Sequence, residues 1–566
     1  MHHKTKMLSA VLLVSVMALS ACSSKDEEKD NNASASGVNA SGQANTDPLG
    51  KYDPPIELHV GQATDSTVKF LDGESFDNNP WHKEYEDVLG INLKYDWVAD
   101  TSDASQYESK LNVTIASGEL PDVMYVPKKQ FKMLVDGDQI EDLTDAFNTY
   151  ASPLTKKILM SDPKIVDAMM TDGKLLGIPN VGSLMDQADV VWVRQDWLKK
   201  LNLPAPKTID DIEKIAEAFV KQDPDGNGKA DTYGLAANKD SFNFPTAGFA
   251  DLTSFANAYH AYPRAWVDVN GKLEYGSVQP QMKQALAKLQ EMYKEGLIDS
   301  EFIVKDGSKV AESVAAGKLG LTYGRYWNAI WPFQDNKNQD KNADWQAYPI
   351  VSADDETAKA QVDLPLSGFT VVRKGYAHPE AVIKALNLMF ENYDGDRSSH
   401  WTPIDQDKKY VDKGVLLMKY PLIYMEPPTM NMDTQVKLLD AFKKNDPSIV
   451  NDLNTKRAYD AIMKYRSGDN TGWAFDKMFG ENSGQAVYQD YQKNDQLFVN
   501  GFYGVPGPVM NERMSTLQKL EDETFTKIIM GSAPLDDFDK FVERWKSIGG
   551  DDVTAEVNEW YAAKNK

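Results

Sequence analysis

The 566-residue sequence is poor in cysteine, histidine and positive charge. Its single cysteine excludes an intrachain disulfide and a CxxC redox pair. Its seven histidines are scattered, and two of them stand at positions 2 and 3. The patterns H-E-x-x-H, G-x-S-x-G and G-x-x-x-x-G-K-[ST] are absent, which removes the common metalloprotease, α/β-hydrolase and P-loop signatures. Paired carboxylates stay open as an acid–base possibility, because spacing in sequence does not show which of the acids meet. Lys and Arg number 61 against 85 Asp and Glu, a formal charge of −24. Such a surface repels phosphate backbones and makes nucleic acid a poor partner, although a local Arg/Lys patch can still hold a small anion. Beyond residues 7–18, no apolar run approaches the roughly 20 residues of a membrane span.

What is present begins with that apolar run. Lys4 and Lys6 precede it, and Leu19-Ser20-Ala21-Cys22 follows it. A positive start, a short apolar core and small residues at a cut form a secretory signal over residues 1–21. The ending is similar to a bacterial lipobox, in which the cysteine sulfur carries diacylglycerol and becomes the new N-terminus. An ordinary signal with an incidental cysteine is the alternative. The only cysteine stands at the one position the lipidation chemistry requires, which favours an anchor at Cys22. Residues 22–50 then read as a lipidated start and a disordered tether. That stretch has no aromatic residue, and as a coil of about 28 residues it reaches on the order of 30 Å.

From Tyr52 onward, strand and helix signals alternate. Ile56-Glu57-Leu58-His59-Val60 and Ile91-Asn92-Leu93-Lys94-Tyr95 alternate apolar and polar. Tyr107, Leu111, Thr114 and Ile115 are spaced as one helix face, and 121–126 reads as a buried strand, which together make a βαβ unit and a partly parallel sheet. Residues 188–193, 319–323 and 369–372 are further strands. Asp196 reads as a helix N-cap, Thr208 with Asp211 as a capping box, Pro280 as the opening of a helix closed by Gly296, and Gly549-Gly550 as a helix stop.

Four blocks together carry a resemblance: residues 111–122 (LNVTIASGELPD), 172–179 (DGKLLGIP), 191–198 (VWVRQDWL) with Pro206-Lys207-Thr208, and the ending 502–506 (FYGVP) through 556–560 (EVNEW). Their order and spacing resemble family 1 extracellular solute-binding proteins of ABC importers, in particular the lipoprotein oligosaccharide receptors of low-GC Gram-positive bacteria. The resemblance implies a two-lobed α/β fold of the periplasmic-binding-protein type II, each lobe a β-sheet flanked by helices, with a ligand cleft between them. By that pattern, residues 51–183 plus 366–425 form lobe 1, and 184–365 plus 426–566 form lobe 2.

Two stretches carry candidate chemistry. In residues 223–231, Asp223, Asp225, Asn227 and Asp231 occupy loop positions 1, 3, 5 and 9 of an EF-hand-type calcium loop, with Gly228 at 6 and the carbonyl of Lys229 at 7. Position 12 is Gly234 in place of the bidentate Glu, so a sixth ligand comes from water or elsewhere. The alternative is an Asx-rich turn that needs no metal. The second signal is aromatic: twelve Trp and 25 Tyr, several outside helical core patterns. A sugar ring packs its C–H face on indole or phenol while its rim bonds polar side chains. Trp81, Trp192, Trp473 and Tyr503 are candidates, each set against the plainer reading of core packing. The resemblance adds Trp327 and Asp122 and points again to the Tyr503 region, while Arg194 and Asp196 read as a structural pair.

The resulting expectation is a monomeric receptor, without catalytic activity, on the outer face of the cell membrane. It would be held there through Cys22, would carry structural calcium, and would deliver an oligosaccharide to an ABC permease. A lipid-anchored glycoside hydrolase or lyase, and a peptide receptor on the same fold, are the competing readings.

Overall fold

The computed structural model describes residues 46–102, 104–243 and 248–564, without the side chains of residues 104 and 105. The signal, Cys22 and most of the tether lie outside the described residues. From Thr46 onward the chain belongs to one unit. In chain order its strands are β1 (Ile56–Thr64), β2 (Ile91–Asp100), β3 (Val123–Pro127), β4 (Ile178–Val181), β5 (Val190–Arg194), β6 (Tyr233–Leu235), β7 (Trp266–Val269), β8 (Lys272–Tyr275), β9 (Leu319–Gly324), β10 (Trp345–Tyr348), β11 (Ala360–Val362), β12 (Leu366–Val372) and β13 (Leu497–Val499).

A five-stranded mixed sheet runs β2-β1-β3-β12-β4. Strand β1 is parallel to both β2 and β3, and β12 is antiparallel to β3 and β4. The helix Ala104–Ser117 carries the chain from β2 across β1 to β3. In β1 the alternation places Leu58 and Val60 in the core, as period-2 patterning requires. A second sheet runs β10-β5-β9-β6. Strands β5 and β9 are buried at every residue, so both their faces are covered. The helix Ile209–Lys221 starts at a reciprocal capping box. Thr208 Oγ1 accepts from Asp211 N at 3.2 Å, and Asp211 Oδ2 accepts from Thr208 N at 3.1 Å. Its apolar face buries Ile212, Ile215, Ala216 and Phe219.

Apolar side chains gather in two cores. One draws on 58–181, 364–425 and Leu453; the other draws on 185–362 and 432–557. Near the C-terminus, Phe538, Phe541 and Trp545 form the buried face of the helix Asp537–Trp545. Gly549, at φ 126°, bends the chain instead of ending it, and a further helix follows over Asp551–Lys564. The expected disordered tether also ends before residue 50. Leu49 packs on the first core, Asn387 Nδ2 donates to Pro48 O at 2.9 Å, and Lys384 Nζ donates to Gly50 O at 2.7 Å. Among the described residues, no helix is long and apolar enough to cross a membrane.

Candidate functional site

The strand directions bring the chain's crossovers together. Strands β3 and β4 end, and β12 begins, at one edge of the first sheet. In the second sheet β9 ends at the edge where β5 begins. The chain therefore leaves β4 through Gly182-Ser183 and returns to β12 through Asp363-Leu364-Pro365. These two passages lie side by side, with Gly182 N donating to Pro365 O at 2.9 Å. A third stretch, 424–426, joins them, since Asn180 Nδ2 donates to Tyr424 O at 3.3 Å.

A cavity of about 760 Å³ opens at this junction. Lys128, directly after β3, and Arg325, directly after β9, reach it from the two sheets. Placement at strand ends is where open α/β sheets collect ligand groups. Trp266, Tyr424, Phe502 and Tyr503 supply aromatic wall; Asn180, Gln187, Asp363, Glu426 and Asn500 supply polar groups. A second chamber of about 320 Å³ shares Asn180 and Tyr424 and extends over the C-terminal half of β1 and residues 123–125 of β3.

The walls are held by specific bonds. Asn500 Nδ2 donates to Asp363 Oδ1 at 2.8 Å, and its Oδ1 accepts from Trp266 N at 2.8 Å, so one side chain ties a crossover to the β7–β8 hairpin. Tyr424 Oη donates to Glu426 Oε1 at 3.1 Å. Burial pushes the carboxyls of both Asp363 and Glu426 above the usual range. Tyr503 Oη donates to Asp167 Oδ2 at 2.6 Å, and Lys564 Nζ lies 2.7 Å from Asp167 Oδ1, which joins the first core's helix Pro163–Met169 to the C-terminal helix. The loop carrying Tyr503 fits closely: a Cβ on Gly504 would stand 2.7 Å from Trp560 Nε1.

The candidate residues separate sharply. Tyr503 lines the cavity. Trp81, Trp192 and Trp473 are fully buried and do not face it. Trp81 packs on Trp401 at 4.5 Å and on Tyr85 at 5.7 Å. Trp192 points into the second core against Phe333, with Nε1 donating to Arg325 O at 3.0 Å. Trp473 opens the helix Trp473–Phe479 and turns its Nε1 to Asp344, 3.4 Å away. Asp122 sits at the entry to β3, the edge away from the cavity. There it accepts from His59 N at 3.0 Å and from Arg373 Nη2 at 2.7 Å. Trp327 is half-buried above Gly248 and is not part of the cavity wall. Arg194 forms a two-point bond with Asp196, at 2.8 and 2.7 Å. Asp196 lies inside the first turn of its helix and is not its N-cap.

Sequence reasoning missed Lys128, Arg264, Arg325, Asp363 and Glu426. Their position was the available signal for Lys128 and Arg325, each the first residue after a strand. Asp363 and Glu426 carry no local signal, because only the meeting of the crossovers makes them neighbours.

The 223–231 loop is an exposed Asx-rich turn. Asp223 takes positive φ, and its carboxylate accepts from the backbone N–H groups of Gly226, Asn227 and Gly228 at 3.0–3.1 Å. The Asn227 amide donates to Asp225 Oδ2 at 2.7 Å and to Asp231 Oδ1 at 2.9 Å. Among the described residues, no group of three or more His, Cys, Asp or Glu side chains has metal-holding geometry. Carboxylate, amide and carbonyl oxygens are the donor set a hard cation takes, although Asn227 Oδ1 accepts from Lys229 N at 2.7 Å and its amide nitrogen faces both carboxylates. Thr232 is no ligand candidate, since its buried hydroxyl donates to Phe219 O at 2.6 Å.

A family model described as bacterial extracellular solute-binding protein matches residues 71–392. Among curated relatives, Lipoprotein LipO of Bacillus subtilis (strain 168) is 31% identical over 247 residues, covering 43% of this chain and 46% of LipO. The polygalacturonan/rhamnogalacturonan-binding protein YtcQ of the same organism is 24% identical over 488 residues, covering 84% of this chain and 87% of YtcQ. The fructooligosaccharide ABC transporter substrate-binding protein FusA of Streptococcus pneumoniae serotype 4 is 30% identical over 351 residues, covering 57% and 58%. The chain thus spans about half the length of LipO. Two solved structures share the fold. An HMO-binding ABC-transporter-associated solute-binding protein of Bifidobacterium longum infantis has TM-score 0.61 at 15% identity, covering 90% of this chain and 98% of that one. A FusA EF-hand mutant from S. pneumoniae in complex with fructo-nystose has TM-score 0.56 at 16% identity, covering 90% and 99%.

Proposed function

Because this chain belongs to the bacterial extracellular solute-binding proteins, we propose that it captures an oligosaccharide outside the cell and hands it to an ABC permease. The observation that carries the reading is the cavity at the crossovers, where four aromatic side chains stand among amides and carboxylates. Ring faces pack on sugar C–H surface, while Asn180, Asp363, Glu426 and Asn500 suit the hydroxyl rim. Relatives named for polygalacturonan, rhamnogalacturonan and fructooligosaccharide support the ligand class.

No bond is made or broken in this function. A ligand touching both sheets' edges stabilises the arrangement in which both edges contact it, and the permease reads that arrangement. A thermal-shift screen of the full chain against glycans and peptides tests the reading, since binding only the native state raises the melting temperature. A glycan shift with no peptide shift is expected; a peptide shift alone would remove it.

Two further parts complete the reading. Acylation of Cys22 keeps the receptor beside its permease, a diacylglyceryl pair giving stable attachment where one chain would not. Cys22→Ala then releases the protein into the medium with ligand affinity unchanged; loss of affinity would contradict that separation. The 223–231 loop holds calcium through Asp223, Asp225, Asn227, Asp231 and the carbonyl of Lys229, pinning the turn after the Ile209–Lys221 helix. Calorimetry with calcium on chelator-treated protein decides it: heat with a raised melting temperature is expected, and neither would remove the claim.

A further inference from the structure

We propose that Asp167 is a positioning residue of the glycan cavity: without touching the ligand, it reaches across from the first core and holds the Tyr503 ring in the cavity wall. The inference rests on the carbohydrate reading above and assigns a residue to that same site.

Tyr503 has little support from regular structure. Strand β13 ends at Val499 and the next helix begins at Pro508, so residues 500–507 lie in neither. The chain crosses between the cores inside this stretch. Phe502 packs against the second core, and its neighbour Tyr503 packs against the first. The Tyr503 side chain also has space on two sides. It lines the crossover cavity, and it lines an adjoining chamber of about 400 Å³ together with Phe131, Val135, Phe369 and Trp560. A ring with room behind it needs a fixed point, because a change of rotamer otherwise carries it out of the wall.

That fixed point is the hydroxyl. Tyr503 Oη donates to Asp167 Oδ2 at 2.6 Å, the length of a charge-assisted bond. Asp167 is itself braced. It sits on the helix Pro163–Met169, whose Ile165 and Met169 are buried in the first core. Lys564 Nζ, from the C-terminal helix, donates to Asp167 Oδ1 at 2.7 Å and to its carbonyl at 3.2 Å. That helix is rooted in the second core through Val553 and Val557. One first-core carboxylate therefore ties two segments of the second-core side, with each of its oxygens given to one of them.

A ligand that packs on Tyr503 then meets a ring already in place. Without the Asp167 bond the ring divides its time between the wall and the chamber. Binding has to select the wall position, and affinity falls with the population of that position. A single hydrogen bond shifts such a local equilibrium about fivefold.

The test is a double-mutant cycle, read by titration calorimetry of the full-length chain with the strongest glycan from the screen, each variant checked for folding by circular dichroism. Asp167→Ala and Tyr503→Phe are each expected to weaken binding about fivefold. The double variant D167A/Y503F is also expected to lose about fivefold, because both changes remove the same bond. Asp167→Asn keeps an oxygen that accepts from Tyr503 and is expected to stay within about twofold of the unaltered protein. A structural role alone would lower the melting temperature and leave the affinity of the folded protein unchanged. Unchanged affinity in Asp167→Ala, losses that multiply to about 25-fold in the double variant, or an Asn variant as weak as the Ala variant each overturns the inference and leaves the carbohydrate reading standing. Absence of glycan binding by the unaltered protein overturns the carbohydrate reading, and this inference with it.

Discussion

Two aromatic groups in this molecule share a composition and differ in use. In the first core Tyr85, Tyr393 and Trp401 pack around Trp81 with ring centres within about 6 Å of it, and the Trp81 and Trp401 indole N–H groups are buried without partners. At the crossovers, Phe502 and Tyr503 rest edge-on against Trp560 at 4.9 Å and leave ring surface on the cavity. Tyr503 also keeps its hydroxyl on Asp167. Aromatic character alone does not separate the two groups. The neighbours do: the first is buried inside one core, while the second borders three passages of backbone that belong to different parts of the chain.

The largest expected effect sharpens that contrast. Trp81→Ala removes a fully buried indole and costs about 3–5 kcal/mol of stability. Denaturant unfolding measures it, and the protein that remains folded keeps its ligand affinity. A loss of affinity with unchanged stability would reverse the assignment.

Next in size is a pH effect in the helix Pro508–Ile529. Glu521 is completely buried, and burial pushes its carboxyl up to about 7, against the opposing pull of Arg264. The unfolded chain loses this proton near pH 4.5 and the folded chain near 7, so stability falls as pH rises across that window. The fall amounts to about 3 kcal/mol at most. Glu521→Gln should flatten the stability profile between those pH values; a slope that survives the substitution would show that other groups carry it.

Tyr503→Ala opens the cavity wall and should weaken glycan binding about 10- to 100-fold, with a modest change in melting temperature. Tyr503→Phe keeps the ring and loses only the Asp167 bond. Its smaller effect, about 1 kcal/mol, separates wall from tether. The smallest change lies far from both groups: Thr208→Ala removes one cap from the Ile209–Lys221 helix and costs about 1 kcal/mol, with ligand affinity unaltered.

The same contrast explains what could be read from the sequence. Local signals translated well into elements. The alternation at 56–60, the Thr208 capping box and the Pro280 helix start each depend on a few adjacent residues, and each stands where it was expected. Gly549 was misread as a stop because a kink and an end share the same residue preference, and tertiary packing of Val553 and Val557 continues the helix. The cleft was harder. Following tryptophan led to Trp81, Trp192 and Trp473, whose size makes them core residues wherever apolar neighbours close around them. Lys128 and Arg325 were accessible through a positional rule, the first residue past a strand end. Asp363, Glu426 and Asn500 become one site only through long-range chain crossing, which no local pattern encodes.

The most direct measurement is calorimetry of the strongest glycan from the screen against three full-length proteins side by side: unaltered, Tyr503→Ala and Trp81→Phe. If the crossover cavity is the ligand site, affinity falls at least about tenfold in Tyr503→Ala and stays within about twofold in Trp81→Phe. Equal affinity in the unaltered and Tyr503→Ala proteins, or a loss confined to Trp81→Phe, would contradict the account.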